Sequence, residues 1–212
     1  PAADGRLWAT GDVRNRANGD FDAVYLINNT DKGRTSQATF SLAKPWSNDS
    51  DWSWNIGYTY TDAKEVGSLT SSTAGSGWGY QYAFDANADQ LTTSRYQIRD
   101  RLSGSLNWKH KFFGDYETKV GLVYEGRSGR PFSYIYANDA NGDGRSGNDL
   151  FYVPQRGEVL FGALNASGQF VADADMEKKF FAWLAQNPQL EKYAGSVAPA
   201  NGFRTEIGRA HV

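Results

Sequence analysis

The segment DWSWNIGYTYTD, residues 51–62, decides the fold because its side chains alternate with a period of two. One face carries only aromatic or β-branched residues, namely Trp52, Trp54, Ile56, Tyr58 and Tyr60. The other face carries only small or polar residues, namely Ser53, Asn55, Gly57, Thr59 and Thr61. Successive side chains of a strand point to opposite faces, so the segment predicts a β-strand with one apolar and one polar face.

Three other segments show the same alternation, at residues 34–46, 93–110 and 116–126. With 51–62 they make four predicted strands, to which residues 21–28 and 131–136 could add one or two. Each run is longer than the five or six residues typical of strands in soluble sheets and is close to the ~10 residues of a membrane-barrel strand.

The connections alternate in length. Residues 47–50 and 111–115 are short links, whereas 63–92 and 127–205 are long. Short turns on one rim and long loops on the other are typical of outer-membrane barrels. The predicted fold class is therefore all-β: part of a large antiparallel transmembrane β-barrel with long extracellular loops and one short helical excursion.

The composition fits this prediction without requiring it. The 212 residues include 12 Phe, 12 Tyr, 7 Trp and 23 Gly, and the mean hydropathy of -0.62 is low. A soluble protein and a barrel with a polar lumen would both give these values. No apolar stretch approaches the ~20 residues of a membrane helix.

Several functional classes are excluded or disfavoured. The chain has no cysteine, which excludes a disulfide framework, a Cys-ligated zinc site and a thiol nucleophile. Its net charge of -2, with no run of Lys or Arg, argues against a nucleic-acid partner. No phosphate-binding loop or nucleophile elbow is present, and the histidines are only His110 and His211. We expect no catalytic residue, no enzymatic activity and no cofactor, unless calcium binds as described next.

The loop NDANGDGRSGNDLFYVP, residues 138–154, resembles half of a calcium site. Asp139, Asn141 and Asp143 stand at the first, third and fifth positions of an EF-hand loop, and a glycine follows at the sixth. The twelfth position, where a closing glutamate belongs, is Leu150, and Asp149 is one residue away. Calcium ligation by these four residues is one interpretation. Asx turns without a metal explain the same run.

Residues 63–92 combine Ser, Thr, Gly and Asn with four interspersed aromatic residues: Trp78, Tyr80, Tyr82 and Phe84. Polar backbone that carries aromatic side chains can form a ligand-contacting surface. The same side chains could equally pack the loop on itself.

Residues 173–193 form the predicted helical excursion. Met176, Phe180, Trp183 and Leu184 recur at helical spacing, with Asp173 or Asp175 as the N-cap. The pair Asn187-Pro188 predicts that the helix stops there and a second one begins.

The polar side of the third predicted strand contains Arg95, Arg99 and Arg101, which predicts a lumen-facing basic stripe. Such a stripe could meet a plug domain or an anionic ligand. Pairing with Glu117 and Glu125 on the next strand is the simpler interpretation.

Four stretches carry a family resemblance: DKGRTSQATFSL (31–42), GYTYTDAKEV (57–66), YEGRSGRPFSY (124–134) and NGDGRSGNDLFYVP (141–154). FFAWLAQNPQLEKYAG and NGFR, within 180–204, support them. In their order and spacing they resemble the Oar-like group of TonB-dependent receptors. The resemblance implies a 22-stranded barrel in the outer membrane of a Gram-negative bacterium, closed by a plug and driven by TonB–ExbB–ExbD. It also implies that a bulky, unidentified extracellular ligand is moved unchanged across the membrane.

This chain contains no plug and no TonB box, and its few strands cannot close, because an open sheet edge is not tolerated in lipid. We therefore interpret it as a fragment of the C-terminal half of such a barrel, spanning residues 1–206. Residues 207–212, IGRAHV, are one translation of a common sequencing adapter, ATC GGA AGA GCA CAC GTC, which predicts an artefact and removes functional weight from His211. An ordinary C-terminus could read the same way by chance. Two other functions stay open: a secreted soluble carbohydrate-binding β-sandwich module with a calcium loop, and a passive porin-type channel.

Overall fold

A computed structural model describes residues 4–6, 24–68 and 70–204, and these divide into two compact units. The first, here the loop unit, comprises Pro1–Asn29, Gly67–Gln90 and Ser133–Phe203. The second, here the sheet unit, comprises Thr30–Val66, Leu91–Phe132 and Arg204–Val212. The predicted artefact at 207–212 lies outside the described residues, as do 21–23 of the possible strand at 21–28; residues 24–28 have no regular structure.

The sheet unit is built on one antiparallel sheet. Its strands are β1 (Arg34–Lys44), β2 (Trp52–Glu65), β3 (Thr92–Thr93), β4 (Asp100–Phe113) and β5 (Tyr116–Arg127). The strand order is β1-β2-β4-β5, and β3 pairs with the end of β2. A long strand forms within each of the four predicted segments, and the predicted antiparallel arrangement is confirmed. Among the described residues the sheet does not close into a barrel.

The predicted strand at 93–110 is wrong at both ends. Thr92 and Thr93 form β3, and the chain then leaves the sheet in a turn in which the Gln97 amide donates to the Ser94 carbonyl (3.1 Å). Regular pairing resumes only at Asp100 and continues to Phe113. The sequence continues to alternate through residues 94–99, although the backbone there does not form a β-strand.

The two short connections lie at the same end of the sheet. Lys44 pairs with Trp54 beside the first turn, and Phe113 pairs with Tyr116 across Gly114 and Asp115. Trp52 at the first turn also pairs with Trp108, close to the second. The long connections leave from the opposite end, after Glu65 and Arg127. The described strands therefore have a turn rim and a loop rim, as the connection lengths predicted.

The long connections contain short elements, and outside residues 131–136 and 173–193 the sequence pattern did not predict them. The long connections include α1 (Ala74–Gly79), β6 (Pro131–Phe132), β7 (Tyr152–Val153), β8 (Gly162–Leu164), β9 (Phe170–Ala172), α2 (Ala174–Ala185), α3 (Pro188–Glu191), β10 (Ser196–Val197) and β11 (Phe203–Arg204). β7 pairs with β10 and β8 with β9. The prediction of one helical stretch was wrong in number, because α1 is a short additional helix in the first long connection.

The helix prediction for 173–193 is confirmed in detail. The Asp173 carboxylate accepts from the amides of Asp175 (2.9 Å) and Met176 (3.1 Å), which caps α2. α2 ends before Asn187, and α3 restarts with Pro188 in its first turn. None of the described helices is long and apolar enough to cross a bilayer.

The two units differ in where they bury apolar side chains. Among the described residues, every buried hydrophobic side chain belongs to the loop unit: Ala83, Leu150, Val153, Phe181, Leu184, Leu190, Ala198, Ala200 and Phe203. The sheet contributes none. The loop unit therefore has a small core of its own, whereas the sheet is a single layer with both faces accessible.

Gly114 makes a first testable prediction. Its φ of 57° at the first central position of the β4–β5 turn suits a type II′ hairpin turn and disfavours any residue with a Cβ. We expect Gly114→Ala to lower the free energy of unfolding by about 1–2 kcal/mol. Denaturant unfolding of the chain in detergent micelles measures it, with Asp115→Ala, at an exposed position of the same turn, as the control. Equal effects of the two substitutions would contradict the turn assignment.

Candidate functional site

One face of the sheet is a continuous apolar surface. Twelve of its large apolar side chains are between 37% and 67% exposed; they are Phe40, Leu42, Trp52, Trp54, Ile56, Tyr58, Tyr60, Leu102, Leu106, Val120, Leu122 and Tyr124. We call this surface the apolar face. Exposed apolar patches of this kind mark a surface that contacts a partner or a membrane.

The strand register shows that these residues share one side. Leu42 pairs with Ile56, Trp54 with Leu106, and Leu106 with Leu122. Directly opposed residues of antiparallel strands project to the same face. The alternation that the sequence showed strand by strand is therefore continued across β1, β2, β4 and β5.

The charges are sorted between the two faces. The opposite, polar face of β4 and β5 carries Arg101, Lys109, Lys111, Glu117, Lys119, Glu125 and Arg127. In the four long strands, all of which the structure describes, the apolar face has ionisable side chains only toward its ends, among them Lys44 at the turn rim and Asp100 at the loop rim. Nothing charged interrupts it between these ends.

At the loop rim, two side chains donate hydrogen bonds to the carboxylate of Asp100. The Tyr58 hydroxyl donates to its Oδ1 (2.7 Å) and Arg99 Nε donates to its Oδ2 (2.8 Å). Because β4 begins at this residue, Asp100 lies at the edge of the apolar face.

Aromatic residues stand at both ends of the apolar face. Near the turn rim, the Trp52 and Trp108 rings are 6.3 Å apart and Trp108 stacks on His110 at 5.7 Å. Toward the loop rim stand Tyr58 and Tyr60. The levels between these ends are mixed, because Trp54 pairs with Leu106 and Leu106 with Leu122.

The predicted basic stripe is largely wrong. Of its three arginines only Arg101 lies in a strand, where its Nε is 3.4 Å from Glu125 Oε1, as the pairing interpretation expected. Arg99 binds Asp100, and the Arg95 amide donates to Glu65 Oε1 (3.2 Å). The stripe fails because the chain leaves the sheet before Asp100. Glu117 pairs with Lys119 on its own strand (2.9 Å).

Two of the four aromatic residues of the first long connection, Trp78 and Phe84, contact other residues of the loop unit. The Trp78 ring lies 5.8 Å from that of Tyr25, and its Nε1 donates to the Ala86 carbonyl (3.1 Å). Phe84 lies under the Arg6 guanidinium, whose carbon is 5.0 Å from the ring centre. Tyr82 is half-buried, and Tyr80 is the most exposed of the four. Trp78 and Phe84 thus pack the loop on itself.

Arg6 is the largest fully buried side chain among the described residues, and the sequence pattern missed it. Its Nη1 donates to Asp149 Oδ1 (2.9 Å), its Nη2 to the Leu150 carbonyl, and its Nε to Asp4 (3.2 Å). The rings of Phe84 and Tyr136 cover the guanidinium. Arg6 therefore joins three distant segments of the loop unit. No local signal predicts it, because its partner is more than a hundred residues away in the chain.

Asp149 has both carboxylate oxygens engaged, because Oδ2 accepts from the Ala140 amide (2.8 Å). Burial raises the pKa of this carboxyl, while the bonds from Ala140 and Arg6 lower it. Asp149 thus acts as a structural partner of Arg6. The other three proposed calcium ligands, Asp139, Asn141 and Asp143, do come together in one turn, where Asn141 Nδ2 is 3.2 Å from Asp143 Oδ2.

Within the described residues, no group of three or more His, Cys, Asp or Glu side chains is placed to hold a metal ion. Any metal in the Asp139 turn would therefore also need amide or backbone oxygens. Comparison of the chain with protein-family models, curated proteins and solved structures finds no match.

The Arg6–Asp149 pair makes a second prediction. Arg6→Met leaves a buried carboxylate without its cation, and we expect the loop unit to lose roughly 3–5 kcal/mol of stability. The pKa of Asp149 would rise further, so the folded state would hold the proton more tightly than the unfolded state. The loss should therefore shrink as the pH falls and grow as it rises. Thermal unfolding at several pH values measures this.

The matched control is the double variant Arg6→Met/Asp149→Asn, which removes the unpaired charge and should recover part of the stability. A loss that is independent of pH and of the second substitution would show that Arg6 acts through packing alone.

Proposed function

We propose that this chain forms part of the wall of an outer-membrane β-barrel, with its apolar face on lipid and its polar face toward the lumen. One observation carries the proposal: an apolar face of twelve side chains, free of charge between its ends, backs onto a face that carries seven charged residues. In a soluble protein such a face needs a covering layer, and in a bilayer the hydrocarbon supplies it.

The dimensions support the same interpretation. Trp52 to Tyr60 pair with Trp108 to Asp100 over nine consecutive positions. At about 3.3 Å per residue this stretch is roughly 26–30 Å long. A tilt of about 40° gives a height of about 20–23 Å, close to the ~25 Å apolar band of membrane barrels. Trp52 and Trp108 then lie near one interface and Tyr60 near the other.

The two sheet edges argue for a larger assembly. Within the described residues, β1 and β5 each pair on one side only. Unpaired backbone groups are costly in hydrocarbon, where no water replaces the missing hydrogen bonds. We therefore propose that further strands of a longer protein pair with β1 and β5 and complete the barrel.

The finer assignment, a TonB-dependent receptor of the Oar-like group, rests on the sequence resemblance. On that proposal the polar face meets an N-terminal plug, TonB–ExbB–ExbD supplies the energy, and the loop unit lies on the cell exterior where a bulky ligand arrives. The loop rim supports this proposal. Both long connections leave the strands there, and they contain the buried apolar side chains of the loop unit. A passive channel would share the wall but not the energy coupling.

Quenching of tryptophan fluorescence by brominated lipid tests the membrane placement directly. The longer protein that contains this chain is incorporated into vesicles with bromine on the acyl chains, and the quenched fraction is compared among variants. Trp54→Phe should remove part of the quenchable emission, because Trp54 lies on the apolar face. Trp183→Phe, on α2, is the matched control and should leave the quenchable emission unchanged. Equal behaviour of both variants, or a chain that is monodisperse without detergent, would favour the soluble carbohydrate-binding module.

Neighbouring residues of β5 allow a sharper test of the two faces. Leu122 pairs with Leu106 on the apolar face, whereas Val123 pairs with Ser105 on the polar face, and both are more than half exposed. We expect Leu122→Lys to cost roughly 2–4 kcal/mol of stability in a bilayer, with similar costs at Ile56 and Leu106. Val123→Lys should be tolerated, as should charged substitutions at Asn55 and Ser105.

Reversible unfolding from lipid vesicles, performed on the full-length receptor, gives these costs. If Val123→Lys lowers the stability as much as Leu122→Lys does, the assignment of the apolar face to lipid and the polar face to the lumen is wrong. To separate the receptor from a passive channel, ligand uptake is compared with and without the membrane potential that energises TonB.

A further inference from the structure

The loop rim of the sheet unit carries an excess of positive charge. Three carboxylates there are each paired with a neighbouring cation: Asp62 with Lys64 (3.8 Å), Asp100 with Arg99 (2.8 Å) and Glu125 with Arg101 (3.4 Å). A fourth, Glu65, accepts from the backbone amide of Arg95 (3.2 Å). Two further arginines, Arg127 and Arg204, have no carboxylate partner in the part of the chain that the structure describes. The rim therefore has two positive charges that no described carboxylate offsets.

Arg127 stands directly opposite another arginine. The strand register pairs it with Arg101 across β4 and β5, on the polar face. Directly opposed side chains have Cβ atoms about 4.5–5.5 Å apart, and like charges at that separation destabilise the pairing. Glu125 offsets one of the two charges. Arg127 is exposed and, among the described residues, takes part in no hydrogen bond or ion pair through its side chain, so its charge stays open to a ligand.

Arg204 places a second such cation beside this pair. Its Nη1 donates to the carbonyls of Gly129 (3.1 Å) and Gln97 (3.4 Å), and its Nη2 donates to Gln97 Oε1. All three acceptors are neutral. Because Gly129 follows Arg127 by two residues, these bonds hold the Arg204 guanidinium at the end of β5. Burial lowers the pKa of Arg204, and the nearby positive charge of Arg99 lowers it further.

We propose that Arg101, Arg127 and Arg204 bind the phosphate group of a soluble ligand. A guanidinium presents its N–H donors in a planar fork that matches the oxygens of a phosphate. Two surplus positive charges match a phosphate monoester, which carries about -1.5 to -2 at pH 7, better than they match a single carboxylate. The bound anion also relieves the repulsion between Arg101 and Arg127.

The face on which the arginines lie favours a soluble ligand over a lipid headgroup. Arg101 and Arg127 are on the polar face, which borders the lumen in the proposed barrel, whereas lipid lies against the apolar face. The phosphate site does not depend on the barrel assignment, because a soluble module would leave the same rim in water. Failure of one proposal therefore leaves the other standing.

Isothermal titration with inorganic phosphate tests the site on the intact protein that contains this chain, in an uncharged detergent without phosphate groups. We expect saturable binding in the millimolar range at low ionic strength, and sodium chloride should weaken it because exposed charges are screened. Acetate, with a single charge, should bind at least about tenfold more weakly. Absence of saturable phosphate binding, or equal binding of acetate, overturns the proposal.

Arg127→Gln shows whether the anion occupies this place. It should weaken phosphate at least about tenfold, because hydrogen bonds between charged groups are lost. Without phosphate its thermal midpoint should stay level or rise, because the repulsion from Arg101 is removed. A side chain with a purely structural role would lower the midpoint instead.

The matched control is Arg34→Gln, because Arg34 is exposed on β1 at the other edge of the same sheet and its loss changes the net charge equally. Its affinity for phosphate should equal that of the parent protein. If Arg127→Gln does not fold, Arg127→Lys takes its place and should also weaken phosphate, because the planar fork is lost. Phosphate binding that survives substitution of Arg127 overturns the proposal.

A second arm distinguishes a soluble ligand from a lipid. Micelles doped with phosphatidylglycerol replace free phosphate, and the thermal midpoints of the parent protein and of Arg127→Gln are compared. A shift that depends on Arg127 with free phosphate, and no such shift with the lipid, supports the soluble ligand. A shift that only the lipid produces, and that Arg127→Gln abolishes, would assign the arginines to a headgroup and overturn it.

Discussion

The architecture depends on one constraint: a single-layer sheet with twelve exposed apolar side chains on one face and no described segment covering them. Burial of apolar surface is the dominant favourable term in folding, so exposure of this face to water would be costly. In the proposed barrel, a bilayer would cover the apolar face and the charged face would border water. The four long strands contain no buried apolar side chain among the described residues.

The loop unit is stabilised differently, because its long connections are not part of the large sheet. A small apolar core around Val153, Leu184 and Leu190 and the buried guanidinium of Arg6 hold it together. That cation ties an early segment to Asp149 and Leu150 through charge-assisted hydrogen bonds. Such bonds stabilise only when every partner is present, because an unpaired buried charge is costly. The loop surface is therefore held by a few specific polar contacts.

The sheet could be predicted closely and the loops could not. The alternation of residues 51–62 predicted β2 because alternation is a local property of the sequence. Asn187-Pro188 predicted the break between α2 and α3 because proline lacks the backbone N–H that would continue a helix. The stripe of Arg95, Arg99 and Arg101 failed because alternation continues through a turn that the backbone takes at Ser94–Gln97. The short helix α1 has neither an apolar stripe nor a side-chain cap, and so left no signal.

The sequence by itself determined which side chains share a face of each strand, where the short turns fall and which helix has a cap. These follow from the chain's own geometry, over a few residues at a time. Only the tertiary structure decided that Asp149 pairs with Arg6, that Asn148 is buried with its Nδ2 against Asp143, and that Trp78 and Phe84 are used in packing. Those contacts join residues far apart in the chain, and their energies depend on burial, which no local pattern contains.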